Sequence, residues 1–228
     1  MSDDHGSVAL RSLAIDLDDR DRALALMPVS DDVARRLDRY AAMLLRTQAH
    51  TNLIAGSTVP QLWTRHIADS LQLLPLATGA KTWVDFGAGA GFPGIVIACA
   101  LADTPGVTVH LVESRQKKAA FLRDVVTALG LPAQVHAERA ENCGDSLAGT
   151  VDVVMARALA SLTVLCGYAA PLIARGAVGL FPKGQDVEAE LTEASKYWNI
   201  EAELIPSLTN PEARIVRVAG LSKRGKKK

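Results

Sequence analysis

A short apolar run that ends in an acid and then in glycines constrains this chain more than any other feature: Thr82-Trp83-Val84-Asp85-Phe86 leads directly into Gly87-Ala88-Gly89-Ala90-Gly91-Phe92-Pro93-Gly94. Such a run reads as a strand followed by a sharp turn, because glycine accepts left-handed backbone and lets the main chain approach a ligand with no Cβ in the way. Pro93, with its fixed φ and no N–H to lose, is placed as the first residue of the next helix. From Lys81 the alternation continues: helix over Pro93–Ala102, strand over Val107–Glu113, helix over Gln116–Leu129, then Ala133–Ala137, Val151–Ala156, a helix over Ser161–Ala174, and Ala177–Phe181. Strand–helix–strand order of this kind builds a parallel sheet. Val151-Asp152-Val153-Val154-Met155, apolar on both faces, belongs to a sheet covered on both sides. The last two strand-like segments, Ile200–Ile205 and Arg214–Ala219, have no helix between them and read as an antiparallel pair at one edge. The expectation is an α/β fold, Rossmann-like, with a mostly parallel seven-stranded sheet ending in an antiparallel hairpin.

Before residue 80 the pattern is helical. Leu10–Met27 is broken by Pro28; Ser30 then reads as an N-cap, with Val33, Leu37, Tyr40 and Leu44 on one face of the helix that follows. After a loop around Ala49–Ser57, a helix over Val59–Leu74 sets Trp63, Ile67, Leu71 and Leu74 on one face and His66 and Asp69 on another. The expected organisation is a helical segment over residues 1–80 packed on the core, an α/β domain over 81–221 and a basic flexible tail over 222–228. The apolar uncharged stretches Phe86–Ala102 and Ala158–Ala174 have 17 residues each, short of the roughly 20 a bilayer span needs. The acidic start Met1-Ser2-Asp3-Asp4-His5 does not resemble a secretory signal. A soluble, cytoplasmic protein without membrane association is expected, and no metal site, since Cys99, Cys143 and Cys166 have no ligand spacing. The formal charge is zero, 25 cations against 25 acids, but five cations lie in the last six residues, which leaves 20 against 25, or −5, for the rest. A mildly acidic body carries a basic end.

In an open parallel sheet the ligand binds beyond the carboxyl ends of the strands, where the strand order reverses. Gly89-x-Gly91-x-x-Gly94 satisfies the dinucleotide fingerprint formally. Asp85 favours S-adenosylmethionine instead: a carboxylate just before the loop attracts an ammonium or sulfonium and repels a pyrophosphate. Glu113, at the end of the second strand, suits a carboxylate that accepts from both ribose hydroxyls, which fits either cofactor. Asp85, Gly89, Gly91 and Glu113 are therefore candidate cofactor contacts. The alternative readings are an NAD(P)-dependent oxidoreductase and a non-catalytic RNA-binding accessory factor.

Several runs together resemble the ribosomal RNA small subunit methyltransferase G family, formerly glucose-inhibited division protein B. They are Asp85–Ile95, Glu113-Ser114-Arg115-Gln116-Lys117-Lys118 with Phe121-Leu122, Arg139-Ala140-Glu141, Ala156-Arg157-Ala158 with Ser161-Leu162, and, upstream, Asn52-Leu53 and Arg65-His66-Ile67-x-Asp69-Ser70-Leu71. The resemblance implies a class I S-adenosylmethionine-dependent methyltransferase over 81–221, preceded by the helical segment. It implies methylation of N7 of a guanosine in the decoding-region loop of bacterial 16S rRNA, within the small ribosomal subunit. Its cofactor contacts fall on Gly87, Phe92, Ala140, Glu141 and Arg157. The sequence departs from the family at Phe181-Pro182-Lys183-Gly184, where Leu-Lys-Gly is more usual.

Guanine N7 has an in-plane lone pair and no proton to lose, so no general base is needed; positioning is. Arg157, at the end of the fourth strand, could hold guanine, a phosphate or the cofactor carboxylate, or pair with Glu141. Arg157, His66 and Asn52 are carried as positioning residues of the catalytic site. His66, Asp69 and Ser70 read either as a polar packing face or as an RNA contact. Arg65 and the cluster Arg115, Lys117, Lys118 and Arg123 read as phosphate contacts or as a solvated face. A monomer is expected.

Overall fold

A computed structural model describes residues 16–147 and 151–225. Helix α1 spans Leu17–Leu26 and α2 spans Asp31–Gln48, capped by the Asp16 and Ser30 side chains respectively. The first part of the expected Leu10–Met27 helix lies outside the described residues. The continuous helix expected over Val59–Leu74 is instead three pieces: a 3-10 turn over Gly56–Gln61, a π-helical turn over Trp63–Ala68 and a short α3 over Asp69–Leu71. Pro60 lacks an N–H, and the N–H groups of Trp63 and Thr64 donate to the buried Asp19 carboxylate at 2.8 and 3.2 Å. That carboxylate, from another helix, caps a new helical start in the middle of the segment.

The strands are β1 (Thr82–Phe86), β2 (Thr108–Val112), β3 (Ala133–His136), β4 (Val153–Met155), β5 (Val178–Lys183), β6 (Trp198–Pro206) and β7 (Arg214–Lys223). Between them run α4 (Gly94–Ala100), α5 (Gln116–Leu129), α6 (Ala140–Leu147), α7 (Leu162–Ile173) and α8 (Val187–Ala194). The order across the sheet is β3-β2-β1-β4-β5-β7-β6. β1 to β5 are parallel, and β7 joins β5 and β6 antiparallel. The parallel sheet and its terminal hairpin are as the sequence predicts. Pro93 sits one position before α4 rather than opening it, and α4 stops at Ala100. α8 is the helix that the resemblance implies after the Phe181–Gly184 loop, whereas α6 has no counterpart among the elements expected from the sequence.

The flexible tail expected from residue 222 is corrected at its start. Lys223 pairs with Trp198 in the last rung of the β6–β7 ladder, and the Arg224 N–H donates to the Tyr197 carbonyl at 2.8 Å. Trp198, Asn199, Ile200 and Glu201 of β6 carry the pairing beyond Ala219. Lys226, Lys227 and Lys228 lie outside the described residues. Two apolar layers cover the sheet: the N-terminal helices with α4 and α5 on one face, and α6, α7 and α8 on the other. Crossovers change face between β1 and β4, so the strand order reverses there and the carboxyl ends of these two strands form the crevice. Among the described residues no helix is long and apolar enough to cross a membrane.

Candidate functional site

The glycine loop leaves β1 under close backbone control. The Gly87 and Ala88 N–H groups both donate to the Val112 carbonyl of β2, at 2.9 and 3.0 Å, which folds the chain back over the end of the sheet. Gly87, Gly89 and Gly91 have φ of +70°, +58° and +108°, where a side chain brings strain. At Gly94 the reason is space: a Cβ would overlap Leu111 Cδ2 and lie 2.8 Å from Asp85 Oδ2.

Two carboxylates hold this loop. Asp85 is fully buried; its Oδ2 accepts from the Gly94 N–H at 2.8 Å, and no donor among the described residues reaches its Oδ1. Burial pushes its pKa up to about 7, against the Gly94 N–H and Arg157, with Glu113 adding to the rise. An acid that lacks a donor under a glycine turn fits a ligand that brings positive charge. Glu113, also buried, accepts from the Gly89 N–H at 3.0 Å and the Arg115 N–H at 2.7 Å. Each of its oxygens keeps a lone pair, so a diol could still be held there. Ala140 is buried at the start of α6, while Glu141 is exposed and takes hydrogen bonds from Arg139 at 2.9 Å and Tyr168 at 3.1 Å.

The second half of the site lies across the crevice and joins β4 to the N-terminal segment. Arg157 donates to the Arg65 carbonyl and to Asp69 Oδ2, both at 3.2 Å, and to His66 Nδ1 at 2.7 Å. It does not pair with Glu141. A guanidinium cannot accept, so His66 Nδ1 is the acceptor and Nε2 carries the proton, donated to Thr58 Oγ1 at 2.9 Å. Burial, with Arg157 and Arg65 nearby, pushes the His66 pKa down to about 3. The imidazole is neutral, and with Nδ1 occupied it has no lone pair for base catalysis. Asp69 also accepts from Gln72 and from the Thr209 hydroxyl, each at 2.8 Å, and so ties the β6–β7 turn to the same network.

Phe92 sits at the centre of this network, stacked on His66 at 4.9 Å, tilted against Tyr40 at 5.4 Å and under the Arg157 guanidinium at 5.2 Å. Its ring faces are taken by the protein. The Tyr40 hydroxyl donates to the Ala90 carbonyl at 2.7 Å, a second tie between the N-terminal helices and the glycine loop. In the sequence Tyr40 is legible only as a core residue, although a buried phenol calls for a partner. Thr58, Gln72 and Thr209 carry no sequence signal for their roles.

Beside Arg157 opens a cleft of about 870 Å³ lined by Arg65, Asp69, Leu159, Lys183, Glu190 and Asn210 among others. Arg65 is exposed on it. Asn52 lies exposed in its loop with no hydrogen bond among the described residues, apart from the Arg157 network. Arg115, Lys117 and Arg123 are exposed along α5. Lys118 is half-buried against the glycine loop, its Nζ 3.9 Å from where a Cβ on Gly89 would be. None of these four cations has a side-chain ion pair among the described residues.

Residues 33–216 match the family model described as rRNA small subunit methyltransferase G. The ribosomal RNA small subunit methyltransferase G of Bradyrhizobium sp. strain BTAi1 is 58% identical over 200 residues, covering 88% of this chain and 90% of that protein. The protein of the same name from Nitrobacter hamburgensis is 56% identical over 206 residues, with 90% and 79% covered. Among solved structures, the O-methyltransferase from Bacillus cereus in complex with SAH superposes with a TM-score of 0.60 at 14% identity, over 87% of this chain and 96% of that one. A SAM-dependent methyltransferase from Aquifex aeolicus gives 0.54 at 14% identity, over 70% and 92%. These likenesses establish the fold as that of class I methyltransferases.

Proposed function

The chain belongs to the rRNA small subunit methyltransferase G family, and we propose that it methylates N7 of a guanosine in the decoding-region loop of 16S rRNA, acting as a monomer on the small ribosomal subunit in the cytoplasm. It is an S-adenosylmethionine-dependent rRNA methyltransferase. The observation that carries the reading is the family match over residues 33–216, which spans the glycine loop, Glu113 and Arg157. An oxidoreductase and a non-catalytic accessory factor are not favoured by that membership. Among the described residues the exposed large apolar side chains, Leu26, Leu159, Val164, Tyr197 and Leu208, are scattered along the chain, which supports a monomer.

When bound, S-adenosylmethionine supplies an electrophilic methyl group on a sulfonium centre. Gly87, Gly89 and Gly91 would give a bound cofactor close backbone approach, Glu113 would accept from its ribose hydroxyls with its remaining lone pairs, and Ala140 and Glu141 would complete the set of residues that holds it. Asp85, buried beneath the loop and holding the Gly94 N–H, would set its negative charge under the positive end of a bound cofactor. Phe92 acts from below, through its backbone and by fixing the loop, since its ring is enclosed. Guanine N7 attacks with an in-plane lone pair and gives up no proton, so the protein needs to hold and orient rather than deprotonate. The neutral, hydrogen-bonded His66 suits that requirement. Arg157 and His66 position the crevice, with Asn52 carried beside them as a positioning residue; Arg65, Arg115, Lys117, Lys118 and Arg123 are assigned to rRNA phosphates.

Purified protein incubated with methyl-labelled cofactor and small-subunit particles lacking the modification is expected to label 16S rRNA. Protein that binds cofactor yet labels no rRNA would overturn the reading.

A further inference from the structure

The cleft beside Arg157 holds a pair of polar groups that the roles above leave unused. Lys183, at the end of β5, is a nearly buried ammonium, with its side chain 10% exposed. It donates to the Ala160 carbonyl and to Glu190 Oε2, both at 2.8 Å, which leaves one of its three N–H groups open. Glu190 Oε2 also accepts from the Leu162 N–H at 2.6 Å, so that oxygen is saturated. Glu190 Oε1 accepts from nothing among the described residues. An open donor and an open acceptor thus stand side by side on the cleft wall. The apolar side chains of Leu159 and Pro182 line the same cleft. The volume, about 870 Å³, lies within the range of small-molecule sites. Leu159 and Pro182 form an apolar patch in a lining that is otherwise largely polar, with Arg65, Asp69, Arg157 and Asn210 among its residues; a nucleobase, whose faces are apolar and whose rim forms hydrogen bonds, can rest a face on that patch and turn its edge to the polar groups.

The geometry points to Lys183 and Glu190 as the residues that read the target base, with the Lys183 ammonium donating to guanine O6 and Glu190 Oε1 accepting from guanine N1–H. This assignment rests on the guanine-N7 reading above. Guanine presents an acceptor beside a donor on that edge. Adenine presents the reverse, so the same pair would set an ammonium against an amino group and a carboxylate against a lone pair, an arrangement that repels. Both contacts leave N7 free. An arginine forked onto O6 and N7 would instead occupy the attacking lone pair, and Arg157 is already committed to Asp69 and His66. The cleft also adjoins the glycine loop. Leu159 packs over Gly87, where an added Cβ would come within 2.6 Å of Leu159 Cδ1. A base unstacked from the rRNA and seated against Leu159 therefore lies beside the loop assigned to the cofactor.

The test uses small-subunit particles reconstituted with 16S rRNA carrying guanosine, inosine or adenosine at the target position, and measures methyl transfer by the wild-type protein, Glu190→Gln and Lys183→Met. Inosine keeps O6 and N1–H and lacks only the exocyclic amine. For the wild type, kcat/KM on inosine is expected to match guanosine within about threefold, and on adenosine to fall on the order of tenfold to a hundredfold. Each variant is expected to shrink that guanosine-to-adenosine ratio while its affinity for cofactor, measured by calorimetry, stays unchanged. A purely structural role for the pair, as cap and counter-ion of α7 and β5, predicts a lower melting temperature and an equal loss on all three particles. That pattern, or rejection of inosine by the wild type, overturns the proposal even if the variants fold poorly. A wild-type protein inactive on the guanosine particle would instead overturn the guanine-N7 reading on which it rests.

Discussion

Replacing Asp85 with Asn separates the cost of burying this acid from its use. In the folded chain its pKa is raised from 3.8 to about 7, chiefly by burial. A raised carboxyl pKa means that the ionised form is the disfavoured one, so the penalty grows as pH rises above 3.8 and is fully present above about pH 7. A tenfold change in proton affinity corresponds to about 1.4 kcal/mol, so the full penalty is about 4 kcal/mol, and about half of it accrues between about pH 5 and pH 7. Asn is isosteric, keeps an acceptor for the Gly94 N–H and never ionises. Urea unfolding of both proteins across this range should therefore show the wild type losing stability relative to Asp85→Asn as pH rises, with the difference levelling off above about pH 7. Saturating S-adenosylmethionine should flatten the wild-type curve, because a bound cation restores the carboxylate, while the variant should bind the cofactor more weakly. Parallel curves for the two proteins would refute the reasoning, since they would mean that Asp85 ionises alike in the folded and unfolded chains.

His66, held down to about 3 by burial and by Arg157 and Arg65, should keep neutral-imidazole NMR shifts down to about pH 4.5; because the unfolded chain takes up this proton first, its contribution makes stability fall as pH drops below 6.5. Gly94→Ala places a Cβ against Leu111 and Asp85 and should cost roughly 1–3 kcal/mol of unfolding free energy, read as a lower melting temperature. Tyr40→Phe leaves the Ala90 carbonyl without its buried donor and should cost about 1–2 kcal/mol, together with a measurable loss of cofactor affinity as the loop loosens.

The parallel sheet and the edge hairpin are legible because apolar runs, glycine turns and helical periods repeat over long stretches from residue 82 onward. The segment over residues 56–71 is not. Its apolar spacing fits one helix, and what divides it is Asp19, a residue more than 40 positions upstream whose carboxylate takes two backbone N–H groups. Such a long-range cap leaves no local mark. At the site, the two acids and the glycines are visible as a pattern, and the structure adds that Asp85 lies beneath the loop rather than facing solvent. Arg157 is visible as a residue but not by its partner: Glu141 is near in sequence and carries the right charge, whereas Asp69 is brought alongside by the packing of the N-terminal helices on the sheet. Lys183 and Glu190 are obscured for the same reason, since their meaning depends on a cleft assembled from β5, α8 and the β6–β7 turn.

On the proposed function, this crevice delivers a methyl group to N7 of one guanosine. The measurement that decides it is nuclease mapping and mass spectrometry of 16S rRNA from unmodified small-subunit particles treated with the protein and S-adenosylmethionine. A single 7-methylguanosine in the decoding-region loop is the predicted result; a methyl group on another atom or another nucleotide, or none from protein shown to bind the cofactor, would contradict it.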